Sequence, residues 1–369
     1  MKILVIHATA GAGHKKAAEA IFNGLSAKAG VEARLVDALD YTNPFFKQSY
    51  PWFYTFLVTN LPWAWAFFFG LLDIPSMQPL VRIVRRCYNG FNASGLERFL
   101  IDEQFDAIIT TQFLSAEVSA YLKRSGKIKS KVICVVTDFD VHRIWVNEGI
   151  DVYTGACDYT RDKLIALGVP SDKAFTTGIP TDAKFTATPD LSELKKKLGI
   201  SDGILTILIA TGSFGMGPIE ELMELLKDYQ LLIVTGHNKQ LYERLKPKAP
   251  ALTHVLGLVN NMDELMSVAD VMVTKPGGLS IAEALVKKLP MLFFSAIPGQ
   301  ETNNLKVLST YQVTEGQSTL QIILGKLYQQ RHRVWIKDST AAAGSLIFHD
   351  GCSIHERFGK SEARCFAPR

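Results

Sequence analysis

Hydrophobic residues fall along this chain in short continuous runs, separated by longer stretches with helical spacing. Residues 2–8 form the first run, β-branched and uninterrupted, as a strand covered on both faces of a parallel sheet requires. A turn through Ala10-Gly11-Ala12-Gly13-His14 follows, and residues 15–25 carry a helical pattern. Further strands are predicted at 33–37, 105–111, 131–137 and 151–156, with helices at 115–123 and 159–167. The pattern then begins again: a strand at 206–210, a glycine turn at 211–217, and a helix at 218–226 with proline in its first turn. Strands at 231–235, 253–258, 271–274 and 291–294 complete the second half. This alternation predicts an α/β protein of two similar domains facing a central cleft, with a glycine loop on either side. The polar stretch 176–182 supplies the boundary, giving domains at 1–180 and 181–330. After one short helical segment at 320–329, residues 331–369 lose helical periodicity and are expected to form a divergent, poorly ordered tail.

Residues 41–72 break the alternation. No charged side chain occurs between Lys47 and Asp73, a gap long enough to raise a membrane span. Pro51, Asn60 and Pro62 interrupt it, and Trp, Tyr and Phe dominate. Aromatic side chains with one polar edge favour a membrane interface over its interior. Trp52, Phe53, Trp63, Trp65 and Phe68 are therefore expected to form an interfacial or lipid-acceptor surface. Arg82, Arg85 and Arg86, on the helical pattern that follows, are expected to meet an anionic membrane surface. The alternatives are ordinary buried helices and a true span.

Charge and cysteine content narrow the class. Of the net charge of +4, most comes from residues 313–369, with eight Lys and Arg against five Asp and Glu. A basic tail is not a binding face, so nucleic acid is not an expected partner. The five cysteines, Cys87, Cys134, Cys157, Cys352 and Cys365, form no CxxC pair. That spacing argues against a zinc site and a disulfide framework, and for reduced thiols. The apolar run at the amino terminus ends in glycines and reads as a first strand, not a signal peptide.

Candidate chemistry collects at predicted strand ends. Residues 270–304 run from a strand through Lys275-Pro276-Gly277-Gly278 into a helical pattern that holds Ser280 and Glu283, and end in a loop at Gln300-Glu301-Thr302-Asn303-Asn304. Unpaired amides and the helix dipole make such a turn an anion site. A carboxylate one helical turn inside can accept ribose hydroxyls, which points to a nucleotide, here a nucleotide sugar. His14 stands where the first helix begins, and Asp138 and His142 follow the strand at 131–137. Ligands of open α/β sheets sit beyond such strand ends, and Asp138 could serve as general base toward a hydroxyl.

The sequences TKPGGLSIAEALVKKLP and IPGQETNN, with GAGH, TDFDVH and TGIPTDAKF upstream, resemble the diacylglycerol glycosyltransferases of bacteria and plastids. These are the monogalactosyl- and processive glucosyl-diacylglycerol synthases, relatives of the UDP-GlcNAc transferase of peptidoglycan synthesis. The resemblance covers residues 1–312. It implies a GT-B fold of two Rossmann-like domains, with the acceptor on the first and the nucleotide sugar mainly on the second. It also implies inverting transfer of a hexose from UDP-glucose or UDP-galactose to diacylglycerol at the cytoplasmic face of a membrane, with no cofactor and no metal. On matching positions, Gly277, Gly278 and Ser280 would hold the diphosphate, with Gly212 and Ser213 across from them. Glu283 would hold the ribose, Gln300 and Glu301 the sugar, and the backbone at Leu258 and Val259 the uracil. His14 and Asp138 would activate the acceptor, with Gly13 beside them. An isoprenoid-linked acceptor, or a non-catalytic lipid- and nucleotide-binding relative, are the alternatives. After Val313 the chain departs from the family's helical pattern.

Overall fold

The computed structural model describes residues 1–9, 11–213, 215–293, 297–308 and 310. The expected short helix at 320–329, the tail at 331–369, and Cys352 and Cys365 lie outside them. Two compact units are present: Met1–Asp182 together with Ile297–Val307, and Ala183–Ala296.

The first unit is built on a six-stranded sheet of β1 (Lys2–His7), β2 (Glu32–Asp37), β3 (Ala107–Thr110), β4 (Lys131–Val135), β5 (Val152–Gly155) and β6 (Ala174–Thr176). Its spatial order is β2-β1-β3-β4-β5-β6, and each of its pairings is parallel. The helices are α1 (Ala12–Ser26), α2 (Pro44–Asn60), α3 (Pro62–Leu71), α4 (Gln78–Asn92), α5 (Ser94–Glu103), α6 (Phe113–Arg124) and α7 (Asp158–Ala166). Leu4, Ile6 and Ile108 of the sheet pack with Leu96 and Leu100 of α5 and Leu122 of α6, all with no exposed surface. Each such side chain contributes roughly 1.5–3 kcal/mol, which is why strand and helix patterns with different periods share one core.

The second unit carries β7 (Thr206–Ala210), β8 (Gln230–Val234), β9 (Thr253–Leu256), β10 (Val271–Thr274) and β11 (Met291–Phe293), in the parallel order β11-β10-β7-β8-β9. Its helices are α8 (Leu191–Leu198), α9 (Ile219–Leu225), α10 (Lys239–Leu245), α11 (Met262–Val268) and α12 (Gly278–Val286). Alternate strand residues point to one face. Accordingly Ile207, Ile209, Leu231, Ile233, Val271 and Val273 make one layer against Leu222, Leu226, Leu241 and Leu245. Pro218 stands at the N-cap of α9, one place before the helical turn expected to contain it.

The aromatic stretch forms two helices. Asn43 caps α2 by accepting from the Phe46 amide at 2.7 Å, and Leu61 both ends α2 and precedes Pro62, the first residue of α3. Asn43 also binds Asn92 through both backbone (3.0 Å) and side chain (2.7 Å), closing α2, α3 and α4 at their base. Among the described residues no single helix is long and apolar enough to cross a membrane. One helix pair, Pro62–Leu71 with Pro75–Asn92, passes by length and composition but is bent by 73°.

The last described helix, α13 (Gln300–Leu308), starts where the sequence reads as a loop, and residues 297–307 of this segment belong to the first unit. Gln300-Glu301-Thr302-Asn303-Asn304 has no apolar residue to betray a helical period. The turn before it is set locally, with the Thr302 hydroxyl accepting the Gly299 amide at 2.9 Å and Glu301 the Ile297 amide at 2.7 Å.

Candidate functional site

In the first unit, β1 connects outward to β2 on one side while β3 and β4 continue on the other. The crevice beyond the carboxyl ends of β1 and β3 is therefore a topological switch point. His14, the third residue of α1, sits there. Thr111 donates to its carbonyl at 2.9 Å, and its Nδ1 lies 2.9 Å from the Thr137 hydroxyl. Desolvation lowers its pKa to about 4, against a smaller opposing effect of the Thr111 backbone on the ring. The imidazole is therefore neutral near pH 7.

Asp138 follows β4 and is 7% exposed. Its two carboxylate oxygens accept from Gln300 Nε2 at 3.0 and 3.1 Å, and Asn304 Nδ2 is 3.5 Å from Oδ1. Burial raises its pKa to about 6. The Gln300 and Asn304 hydrogen bonds oppose that rise, while Asp140 and Glu301 add to it. A carboxylate with that pKa is ionised at neutral pH and basic enough to receive a proton.

These groups close the polar end of a cavity of about 250 Å³. Its walls are Phe53, Tyr54 and Leu57 of α2, Trp65, Phe68 and Phe69 of α3, and Phe113 and Trp145. The polar end holds His14, Gln112, Asp138, Asp140, His142 and Gln300. Phe53 and Phe68 line the cavity yet are more than half exposed, so they form its rim. An apolar chamber whose polar end holds buried carboxylates, Asp138 and Asp140, suits a molecule with a hydrocarbon body and a hydroxyl head.

Several expectations need correction here. Trp63 is 71% exposed, whereas Trp65 keeps to the lipid-acceptor half of its expectation and turns inward. It packs edge-on to Tyr54 at 5.2 Å between ring centroids and lines the cavity. In an aromatic run with no polar positions, periodicity does not say which ring turns inward. Arg85 does not face head groups: it is ion-paired with Glu117 of α6, with side chains 17% and 14% exposed. Arg86 pairs with Glu97 at 2.5 Å and stacks over the Tyr121 ring. Arg82 remains on the surface, 3.2 Å from Glu148. These guanidinium charges are offset by carboxylates distant in sequence, so the pairing does not show in the local pattern. Both ring nitrogens of His142, which lines the cavity, are engaged. Its Nδ1 accepts from the Ile144 amide at 3.1 Å, and Nε2 reaches the Phe69 carbonyl at 2.8 Å.

In the second unit the switch point falls between β7 and β10, which pair with Ala210 opposite Thr274. Gly212 and Ser213 follow one strand, and Gly277 and Gly278 follow the other. The Thr274 hydroxyl bridges the two strand ends, donating to the Ala210 carbonyl at 2.6 Å. Gly215, at φ +56°, lies so close to the next loop that a Cβ would stand 2.6 Å from the Thr235 carbonyl oxygen. No side chain caps the N-terminus of α12, whose N-cap is Gly277. Its first amides and dipole therefore act toward whatever anion occupies the crevice. Ser280 is the third residue of this helix and Glu283, half-buried, lies a turn further in. Leu258 and Val259 follow the edge strand β9, two strands from β7, with the Leu258 side chain exposed. Gln300 and Glu301 are in the first unit, where Gln300 holds Asp138 and Glu301 holds the Ile297 amide. Tyr54 and Gln112 line the cavity, and the buried Asn304 touches Asp138, without having stood out in the sequence. Only the four-residue spacing of Asn304 from Gln300 could have signalled it.

Comparison with known proteins agrees with this geometry. A family model described as monogalactosyldiacylglycerol (MGDG) synthase matches residues 14–181, and the glycosyltransferase family 28 C-terminal domain matches residues 206–315. The crystal structure of MurG from Acinetobacter baumannii superposes with a TM-score of 0.54 at 16% identity, covering 90% of this chain and 91% of that one. With two parallel α/β sheets and a glycine turn at each switch point, the chain is a glycosyltransferase of the GT-B fold. It is 30% identical over 322 residues, 84% of its length and 81% of the relative's, to the processive diacylglycerol beta-glucosyltransferase of Bacillus pumilus (strain SAFR-032). It is 33% identical to the Bacillus subtilis (strain 168) protein of the same description over 230 residues, 60% of each chain. The chain belongs to the diacylglycerol glycosyltransferase family.

Proposed function

We propose that this protein transfers a hexose from a UDP-sugar to the hydroxyl of diacylglycerol, with inversion at the anomeric carbon, making a membrane glycolipid. The apolar-walled cavity that ends at the buried Asp138 carboxylate carries this reading. Asp138 takes the proton of the glycerol hydroxyl as its oxygen attacks the anomeric carbon. The new carbon–oxygen bond forms as the bond to the UDP phosphate breaks, and UDP leaves with the electron pair. Neutral His14, its Nδ1 engaged by Thr137, offers Nε2 to the same hydroxyl.

On the donor side, the uncapped start of α12 at Gly277, Gly278 and Ser280, with Gly212 and Ser213, would stabilise the departing diphosphate. Glu283 would bind the ribose, Leu258 and Val259 the uracil, and Gln300 and Glu301 the sugar. The relatives' description makes UDP-glucose the first donor to try. The exposed Trp52, Trp63 and Phe67, with Leu80, Ile83 and Phe91 of α4, would rest the first unit on the membrane that holds the acceptor, as a peripheral protein on its cytoplasmic side.

Membranes given radiolabelled UDP-glucose and UDP-galactose in parallel test the proposal. Label is expected in a β-linked glycosyl-diacylglycerol from one of them. Label on an isoprenoid lipid alone, or release of UDP no faster than in an Asp138→Asn variant, would refute it.

A further inference from the structure

Asp138 does not belong to a strand or a helix. It sits in the turn that follows β4, so nothing in the sheet fixes its carboxylate. What fixes it comes from α13, more than 160 residues later in sequence. Gln300 and Asn304 are four positions apart and share one face of that helix. Gln300 donates to both oxygens of Asp138. Asn304, fully buried, uses its side chain in two directions. Its Oδ1 accepts the successive amides of Phe139 and Asp140 at 2.9 and 3.2 Å, while Nδ2 faces Asp138. Gly299, at φ +91°, lets the helix start against the cavity wall, since a Cβ there would be 2.9 Å from the Phe69 ring.

We infer that Gln300 and Asn304 are positioning residues that hold the Asp138 carboxylate, and the turn that carries it, in place for proton transfer. This deepens the proposed function and rests on the reading of Asp138 as the base. The charge-bearing and titratable groups around Asp138 are Asp140 of its own turn, paired with Lys163 of α7 at 2.5 Å, Glu301 of α13, the Tyr54 phenol of α2, and the imidazoles of His14 and His142 at the same end of the cavity. The carboxylates disfavour a charged Asp138, and Gln300 and Asn304 are the donors that favour it.

Asn304→Asp isolates the effect. A carboxylate at 304 still accepts the two amides, so the turn keeps its anchor, but it replaces a donor with a second negative charge beside Asp138. The acid limb of the kcat/KM profile, expected near pH 6 in the wild type, should move up by about one pH unit or more. The KM for UDP-sugar should not change. Gln300→Ala, at a partly exposed position, should move the limb in the same direction and serves if Asn304→Asp fails to fold; there the limb alone is read, because Gln300 is also assigned to the sugar and its loss should raise the KM for UDP-sugar. Profiles of both variants that superpose on the wild type would overturn the inference. A wild-type profile with no acid limb between pH 5 and 7 would instead overturn the assignment of Asp138 as base.

Discussion

Asp138 shows how much a single side chain's surroundings decide. Its position after a buried strand is readable from the sequence, because β-branched runs followed by polar residues mark strand ends. Its basicity is not readable, since that comes from burial, with Asp140 and Glu301 adding to it and Gln300 and Asn304, far along the chain, opposing it. Asp138→Asn is expected to lower kcat by about 10²–10⁴-fold with little effect on the KM for UDP-sugar, in steady-state assays at pH 7.5. The pH dependence has a fixed sign. The carboxylate must be ionised to accept a proton, so activity falls as pH drops through about 6. His14, with its pKa lowered to about 4, adds no ionisation between pH 5 and 8. His14→Gln should therefore leave the acid limb where it is, and a displaced limb in that variant would reassign the group.

At the scale of elements, α2, α3 and α4 divide inward from outward residues in a way that composition alone does not reveal. Their apolar content predicts a special surface, but the rings that build the cavity and those that face outward alternate within one uncharged run. The Arg85–Glu117 pair pins α4 to α6, and removing one partner of a buried pair leaves the other charge uncompensated. Arg85→Ala is expected to cost about 3–5 kcal/mol, read from the urea midpoint. Trp63→Ser with Phe67→Ser, both at exposed positions, should leave that midpoint unchanged and weaken sedimentation with anionic vesicles about tenfold or more. Equal sedimentation would detach this face from the membrane. The helical start of α13 was invisible to hydrophobic periodicity because five polar residues open it, and its identity as a helix comes from the turn bonds at Gly299 and Ile297.

Across the whole molecule, the apolar cavity belongs to the first unit, and the amide-rich turn to the second. The alternation of strands and helices made both sheets legible, because parallel strands buried on both faces show as unbroken apolar runs. Functional effects should separate by unit. Glu283→Ala is expected to raise the KM for UDP-sugar roughly tenfold or more, the scale of a lost hydrogen bond to a charged group, while the KM for diacylglycerol stays level. A raised acceptor KM alone would place Glu283 outside the ribose site.

The pair of hydrogen bonds between Asn43 and Asn92 has one more consequence. Both ends of the three-helix excursion return to a single point, so whatever lies between them can vary without re-threading the sheet. On the proposed reading of the cavity, residues 44–91 would act as an exchangeable cassette, and lipid preference would be inherited separately from sugar preference. A chimera that keeps both asparagines and borrows the intervening helices of a relative with another lipid acceptor should keep its UDP-sugar KM and adopt the new acceptor. Retention of the original acceptor would show that the choice is made elsewhere.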